Sequence, residues 1–302
     1  MTAETAPRPT AAQWLSGARP RTLPAACSPV IAGTGLAVFE QGASWVAAAL
    51  ALVVSLALQV GVNYANDYSD GIRGTDTKRV GPQRLVGSGL ASPPLVKRAA
   101  FVSFGIACLA GLGLVIMTQQ WWLLLLGAAC VLAAWYYTGG KHPYGYLGLG
   151  EVFVFVFFGL VAVCGTAYVQ VGKISLATLL TGVWVGALAC AILVANNLRD
   201  IQGDQQTGKR TLATRLGDPR TRVWYLLLVA LSALLLIVAA LLTSWWALLG
   251  LAGLILIIPA MRTVMSGASG LALIGVLKAT GLAELASSIG FAAGLILAAR
   301  WL

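Results

Sequence analysis

The chain has 302 residues, of which 59% are hydrophobic and only 10% charged, with 20 Lys and Arg against 10 Asp and Glu. Soluble domains carry about 25% charged residues and about 45–50% apolar ones, so these charges are too few to cover a solvated globule. Disorder needs low hydrophobicity and many charges, which leaves an all-α polytopic membrane protein.

A membrane helix needs about 20 mostly apolar residues to cross a core of about 30 Å. Such runs predict nine spans, at 22–39, 44–66, 97–117, 121–138, 148–169, 175–198, 222–243, 245–261 and 280–301, arranged around a central cavity in one integral-membrane domain over 1–302. The first run is not read as a signal peptide, because no small-residue cleavage site follows it and Arg19 to Pro24 continues straight into it. The five cysteines all fall in apolar runs and form no CxxC pair, the placement of small core residues rather than of disulfides or a soft-metal site.

With these spans, eighteen Lys and Arg lie on one face and only Lys173 and Arg300 on the other. The positive-inside rule then predicts a cytoplasmic N-terminus and an outer C-terminus. Trp45, Trp121, Trp122, Trp245, Trp246 and Trp301 cluster at the outer interface, where indoles sit well. Topology accounts for the basic excess, so no nucleic-acid partner is expected.

The longest loops, 67–96 and 199–221, face the cytoplasm with the shorter 139–147 connection. Span two ends in Asn63-Tyr-Ala-Asn66-Asp67-Tyr-Ser-Asp70-Gly-Ile-Arg73-Gly-Thr-Asp76, and span six in Asn196-Asn197-Leu-Arg199-Asp200-Ile-Gln-Gly-Asp204, followed at a short distance by Gly208-Lys209-Arg210. If the helices continue, Asn63, Asp67 and Asp70 line one face, as do Asn197, Asp200 and Asp204. The second motif follows the first by four spans, a weak internal repeat. Facing carboxylate stripes repel unless cations lie between them. Oxygen donors without His or Cys favour a hard ion such as Mg²⁺, which takes one or two carboxylates and completes its shell with water and phosphate oxygens. Nearby Arg and Lys supply the other half of a phosphate clamp. The constellation reads as Mg²⁺–diphosphate binding at the mouth of a membrane cavity. The bland alternative, ordinary solvated loop charges, accounts poorly for two matched Asn/Asp stripes. Asp76 lies off the stripe, and Asp218 precedes Pro219 in what reads as a helix start.

These residues carry a resemblance. Asn63 through Asp76, Gly81-Pro-Gln-Arg84, Pro143-Tyr-Gly-Tyr-Leu-Gly-Leu-Gly-Glu151 and Asn197-Leu-Arg-Asp200 through Ala213 are similar to the UbiA superfamily of intramembrane prenyltransferases over nearly the full length, and most of all to its naphthoate-prenylating branch. That resemblance implies a nine-helix membrane enzyme. It joins a polyprenyl diphosphate to 1,4-dihydroxy-2-naphthoate with loss of diphosphate and CO₂, giving the demethylmenaquinone skeleton; 4-hydroxybenzoate is the alternative acceptor. It also implies two Mg²⁺ ions, one with Asn63, Asn66, Asp67 and Asp70 and the other with Asn197, Asp200 and Asp204. The four Asp side chains are the expected catalytic groups, with Arg73, Arg84, Arg199 and Lys209 as the diphosphate clamp. Tyr136, Tyr137, Tyr144 and Glu151 are candidates for the aromatic acceptor. A commoner form of the first motif has a third Asp where this chain has Gly74, which leaves Asp76 as the nearest acid.

Other features read as decoys. Gly203-x4-Gly208-Lys209 nearly spells a P-loop, but position 210 is Arg and a membrane helix precedes it. His142 reads as a solvated loop residue. Glu284 reads either as a functional intramembrane acid or as a partner of Lys278. A secondary transporter is the rival class, but its polar residues belong near the midplane, whereas these acids sit at one interface. The Asp-Gly-x-x-Ala-Arg core of CDP-alcohol phosphotransferases is absent, since Ile72, Arg73 and Gly74 follow Asp70-Gly71. The prenyl tail is expected to run from the acids into membrane lipids through a lateral opening. Gly33, Gly35, Gly105, Gly111, Gly113, Gly159 and Gly165 are either its small-residue wall or helix-packing contacts.

Overall fold

The computed structural model describes residues 9–74 and 84–301; Asp76, Lys78 and Arg79 lie outside them. Among the described residues there are helices and turns and no strand. The short helix α1 (Ala11–Ala18) is followed by α2 (Leu23–Phe39), α3 (Trp45–Arg73), α4 (Pro93–Thr118), α5 (Leu123–Tyr136), α6 (Gly150–Val171) and α7 (Leu176–Gln206). The chain continues with α8 (Leu212–Leu216), α9 (Asp218–Leu242), α10 (Trp245–Met265) and α11 (Ala272–Ala299). Eight of these segments, counting α1 with α2, are long and apolar enough to cross a membrane. The fourth expected span is the exception: α5 has 14 residues, none of them buried, and at 1.5 Å per residue is only about 21 Å long.

The apolar residues form two principal cores. The larger joins α2, α6, α7, α9, α10 and α11 around Trp184, Leu188, Tyr225, Leu236 and Phe291. The smaller joins α1, α3 and α4 with Leu85 and Ala91. Close approach depends on glycine, because lipid gives no hydrophobic drive to helix pairing and small side chains let backbones touch. A Cβ at Gly159 of α6 would lie 2.5 Å from the Gly182 carbonyl of α7, and one at Gly294 of α11 only 2.0 Å from the Trp246 carbonyl of α10. Gly33 and Gly35 pack in the same way, whereas a Cβ at Gly105 or Gly165 would meet no neighbouring helix within 4 Å. A π-helical stretch interrupts α6 at Phe155–Val161.

The two motif-bearing helices end in different cores. α3 runs beyond its apolar stretch through Asp67 and Asp70 to Arg73, and Gly74, with φ +71°, ends it. α7 likewise continues through Asp200 and Asp204 to Gln206. Both acidic stripes are therefore helical.

Candidate active site

On α3 the face bearing Asn63, Asn66, Asp67 and Asp70 is buried, and each side chain holds a different neighbour. Asn63 donates its amide to the Ala18 carbonyl (2.9 Å) and to Thr22 Oγ1 (3.0 Å). It braces the α1–α2 turn, where Arg19 takes a left-handed φ of 53°. That bracing uses the amide nitrogen, the half of the side chain that is not a metal ligand. Asn66 Oδ1 accepts from Thr138 Oγ1 at 2.7 Å. The Asp67 carboxylate accepts the Leu85 and Val86 amides at 2.8 and 2.9 Å, fastening the start of the 84–91 turn. Asp70 accepts the Tyr146 hydroxyl at 2.6 Å and lies 3.6 Å from Arg84 Nη2. Arg73 donates to the carbonyls of Thr138 and Gly140.

On α7, Asn197 donates to Glu151 Oε1 at 3.0 Å. Arg199 grips Asp200 with Nε (2.7 Å) and Nη2 (2.6 Å), and the same Nη2 reaches Asn196 Oδ1. This fork geometry is what a guanidinium offers a carboxylate or a phosphate alike. Lys209 Nζ stands 3.8 Å from Asp204 Oδ1, and its amide closes on the Asp204 carbonyl at 2.9 Å. An open recess of about 670 Å³ beside this end is lined by Gln205, Gly208, Lys209, Arg210, Thr214 and Arg215.

The segment from Tyr137 to Leu149 joins the two helix ends. It meets the first motif through Thr138, Gly140 and Tyr146, as above. It meets the second through Arg210 N on the Tyr146 carbonyl (3.1 Å) and Arg215 Nη2 on the Leu147 carbonyl (2.8 Å). The Tyr146 ring lies 5.4 Å from the Arg73 guanidinium carbon and 5.0 Å from Lys209 Nζ. Asp70, Arg73, Arg84, Tyr146, Lys209 and Asp204 thus form one connected group. Tyr146 and Thr138 were not singled out from the sequence. The run containing Tyr146 was marked, but nothing in it distinguishes this tyrosine from Tyr144.

Of the aromatic candidates, Tyr137 lies edge-on to Tyr144 at 5.5 Å, and Tyr144 stacks on Phe153 at 3.8 Å. Burial raises the pKa of Tyr144, so it stays a donor at neutral pH, and its hydroxyl is given to the Ala133 carbonyl at 2.7 Å. Tyr136 is exposed at the end of α5. Glu151 is buried at the start of α6, and its Oε2 accepts no hydrogen bond among the described residues. His142 is exposed. Glu284 is fully buried with no hydrogen bond to either oxygen among the described residues, while Lys278 is exposed on another face of α11. Gly203 is helical within α7, where a P-loop needs a strand-to-helix turn.

The donor set fits a hard cation. Both motifs offer only oxygen ligands, although no three of His, Cys, Asp or Glu come together among the described residues. One or two carboxylates with water and phosphate oxygens are what Mg²⁺ takes.

The model of the UbiA prenyltransferase family matches residues 26–272. The chain is 53% identical to a 1,4-dihydroxy-2-naphthoate octaprenyltransferase of Mycobacterium leprae, over 95% of this chain and 97% of that one. It is 37% identical to a protein of the same name from Escherichia coli, over 95% and 96%. Among solved structures, its fold resembles a UbiA homolog from Aeropyrum pernix K1, with a TM-score of 0.68 at 19% identity over 91% of this chain and 97% of that one. It also resembles a UbiA homolog from Archaeoglobus fulgidus bound to GPP and Mg²⁺, with a TM-score of 0.58 at 15% identity over 92% and 99%.

Proposed function

The chain belongs to the UbiA prenyltransferase family, and we propose that it transfers a polyprenyl group from polyprenyl diphosphate to 1,4-dihydroxy-2-naphthoate, releasing diphosphate and CO₂. The name shared by the Mycobacterium and Escherichia relatives supports the acceptor. The observation that carries the reading is the convergence of both acidic helix ends, with a cation from each, on the Tyr137–Leu149 segment.

Asn63, Asn66, Asp67 and Asp70 form one donor group and Asn197, Asp200 and Asp204 the other, each with a Mg²⁺ ion. The Mg²⁺ bound to the Archaeoglobus homolog supports the metal. Mg²⁺, when bound, offsets the charge that develops on the leaving diphosphate. Arg73, Arg84, Arg199 and Lys209 exchange their carboxylate and carbonyl partners for diphosphate oxygens, with Arg suited to paired contacts. The bond from the allylic carbon to the diphosphate oxygen breaks with its electrons going to diphosphate. The ring carbon that carries the carboxylate attacks the allylic carbon, and CO₂ leaves with its bonding electrons returned to the ring. Glu151 Oε2 accepts the hydrogen of an acceptor hydroxyl, which makes the ring more electron-rich. The apolar walls keep water from the allylic cation. The bias of eighteen basic residues to two supports a cytoplasmic active site and N-terminus and an outer C-terminus.

The test uses purified protein in lipid with a polyprenyl diphosphate and either 1,4-dihydroxy-2-naphthoate or 4-hydroxybenzoate, with and without a chelator. Prenylation of the naphthoate with metal-dependent diphosphate release is expected. Prenylation of 4-hydroxybenzoate alone, or release of diphosphate under full chelation, overturns the assignment.

A further inference from the structure

Tyr146 stands where the two halves of the site meet. Its hydroxyl donates to Asp70 Oδ1 at 2.6 Å, a short bond to a charged acceptor, of the stronger kind. Its ring lies 5.4 Å from the Arg73 guanidinium, at the end of α3, and 5.0 Å from Lys209 Nζ, beyond the end of α7. Both distances are within the range where the ring's quadrupole attracts a cation. The residue is itself pinned, because its carbonyl accepts the Arg210 amide at 3.1 Å. One side chain therefore touches a carboxylate of the first motif and a cation from each motif.

Such an arrangement has a physical purpose. Arg73 is exposed and tied to the Thr138 and Gly140 carbonyls, and Lys209, about a quarter exposed, stands 3.8 Å from Asp204; turning to diphosphate, both give up those partners. Long side chains released in this way sample many rotamers, and the ligand then has to order them. An aromatic surface that holds both before the ligand arrives removes part of that cost, and preorganisation of this kind raises affinity without adding a contact. The hydroxyl does the same for the Asp70 carboxylate.

We propose that Tyr146 is a positioning residue that sets Asp70 for the metal through its hydroxyl and holds Arg73 and Lys209 for the diphosphate through its ring. The inference rests on the reading of the two motifs as a Mg²⁺–diphosphate site. It separates two roles within one side chain: Tyr146→Phe removes only the hydroxyl, whereas Tyr146→Leu removes the ring as well.

The experiment is calorimetric titration of the full-length detergent-solubilised protein with inorganic diphosphate across a series of Mg²⁺ concentrations, beside thermal unfolding to confirm that each variant is folded. Tyr146→Phe is expected to raise the Mg²⁺ concentration for half-maximal binding by about tenfold, while diphosphate affinity at saturating Mg²⁺ stays near wild type. Tyr146→Leu is expected to weaken diphosphate binding at saturating Mg²⁺ by about fivefold or more as well. Asp70→Asn and Arg84→Ala serve as reference variants. If both references bind Mg²⁺ and diphosphate like wild type, the reading of the motifs fails. If they lose binding while Tyr146→Phe titrates like wild type, the inference about Tyr146 is overturned. Equal weakening of diphosphate by the Phe and Leu variants overturns the division of roles. If Tyr146→Leu does not fold, the Phe titration alone decides the hydroxyl, and Tyr146→Trp, expected to keep diphosphate affinity, decides the ring.

Discussion

Asn197 of α7 and Glu151 of α6 share a hydrogen bond of 3.0 Å, so the second acidic motif is tied to a buried carboxylate on the neighbouring helix. The bond fixes Oε1 and leaves Oε2 without a hydrogen-bond partner among the described residues. A buried acceptor left in this way costs free energy unless something satisfies it, and an acceptor hydroxyl is suited to do so.

Glu151→Gln is therefore expected to keep the Asn197 bond while losing the basic oxygen. kcat/KM for the naphthoate should fall by about a hundredfold, with the prenyl diphosphate KM nearly unchanged. Steady-state kinetics with each substrate varied in turn make the comparison. Equal losses for both substrates would place Glu151 outside the acceptor site.

Asp67 combines a place in the motif with a structural duty. Its two oxygens accept the Leu85 and Val86 amides, so Asp67→Asn turns an amide N–H toward one of those donors. Hydrogen bonds to charged groups contribute about 1.5–3 kcal/mol, and a lowered Tm in detergent should accompany a loss of turnover. Asp200→Asn, whose oxygens accept from the Arg199 side chain, should lose turnover with a smaller change in Tm. Near-normal activity in either variant would defeat the two-metal reading.

The α10–α11 contact tests how glycine holds the bundle together. A Cβ at Gly253 would meet the Ser287 amide nitrogen at 2.2 Å, whereas Gly275, also helical, has nothing within 4 Å. Gly253→Ala should cost about 1–3 kcal/mol through overpacking. Gly275→Ala should gain up to about 1 kcal/mol from helix propensity. Thermal unfolding of the two variants checks the sign, and a stabilised Gly253→Ala would contradict the close approach.

Much of this was legible because hydropathy and charge act over long windows. Eight of the nine expected apolar segments, the helical continuation of both acidic stripes, and the placing of Asn63, Asp67 and Asp70 on one face follow from composition and spacing. The shortness of α5 did not, because Trp121, Trp122 and Tyr137 extend its apolar run without being helical. Nor did the α11 start at Ala272, eight residues before the expected span, since Lys278 interrupts the apolar run but not the helix. The duties of Asn63 and Tyr146 depend on tertiary neighbours, the Ala18 carbonyl for one and Asp70, Arg73 and Lys209 for the other. No local pattern encodes those.

The carboxylates lie at one end of the helices, so a tail of many isoprene units extends along the bundle. Two features bear on its path. Tyr144, Phe153 and Phe157 stack at 3.8 and 6.0 Å from the connecting segment down α6, and α5, which precedes that segment, buries none of its residues. Each CH₂ moved from water into an apolar site is worth about 0.8 kcal/mol, so a closed pocket would lower KM steeply with each unit until it is full and then reject longer tails. A tail that lies in lipid both before and after binding makes no such transfer. KM should therefore change by less than about threefold once the aromatic stretch is covered. Kinetics with tails of two to ten isoprene units in vesicles, with concentrations expressed per lipid, give the comparison. A flat KM beyond the first few units is the expected result. A sharp loss of turnover above a short length would mean an enclosed chamber and would overturn the lipid-open path.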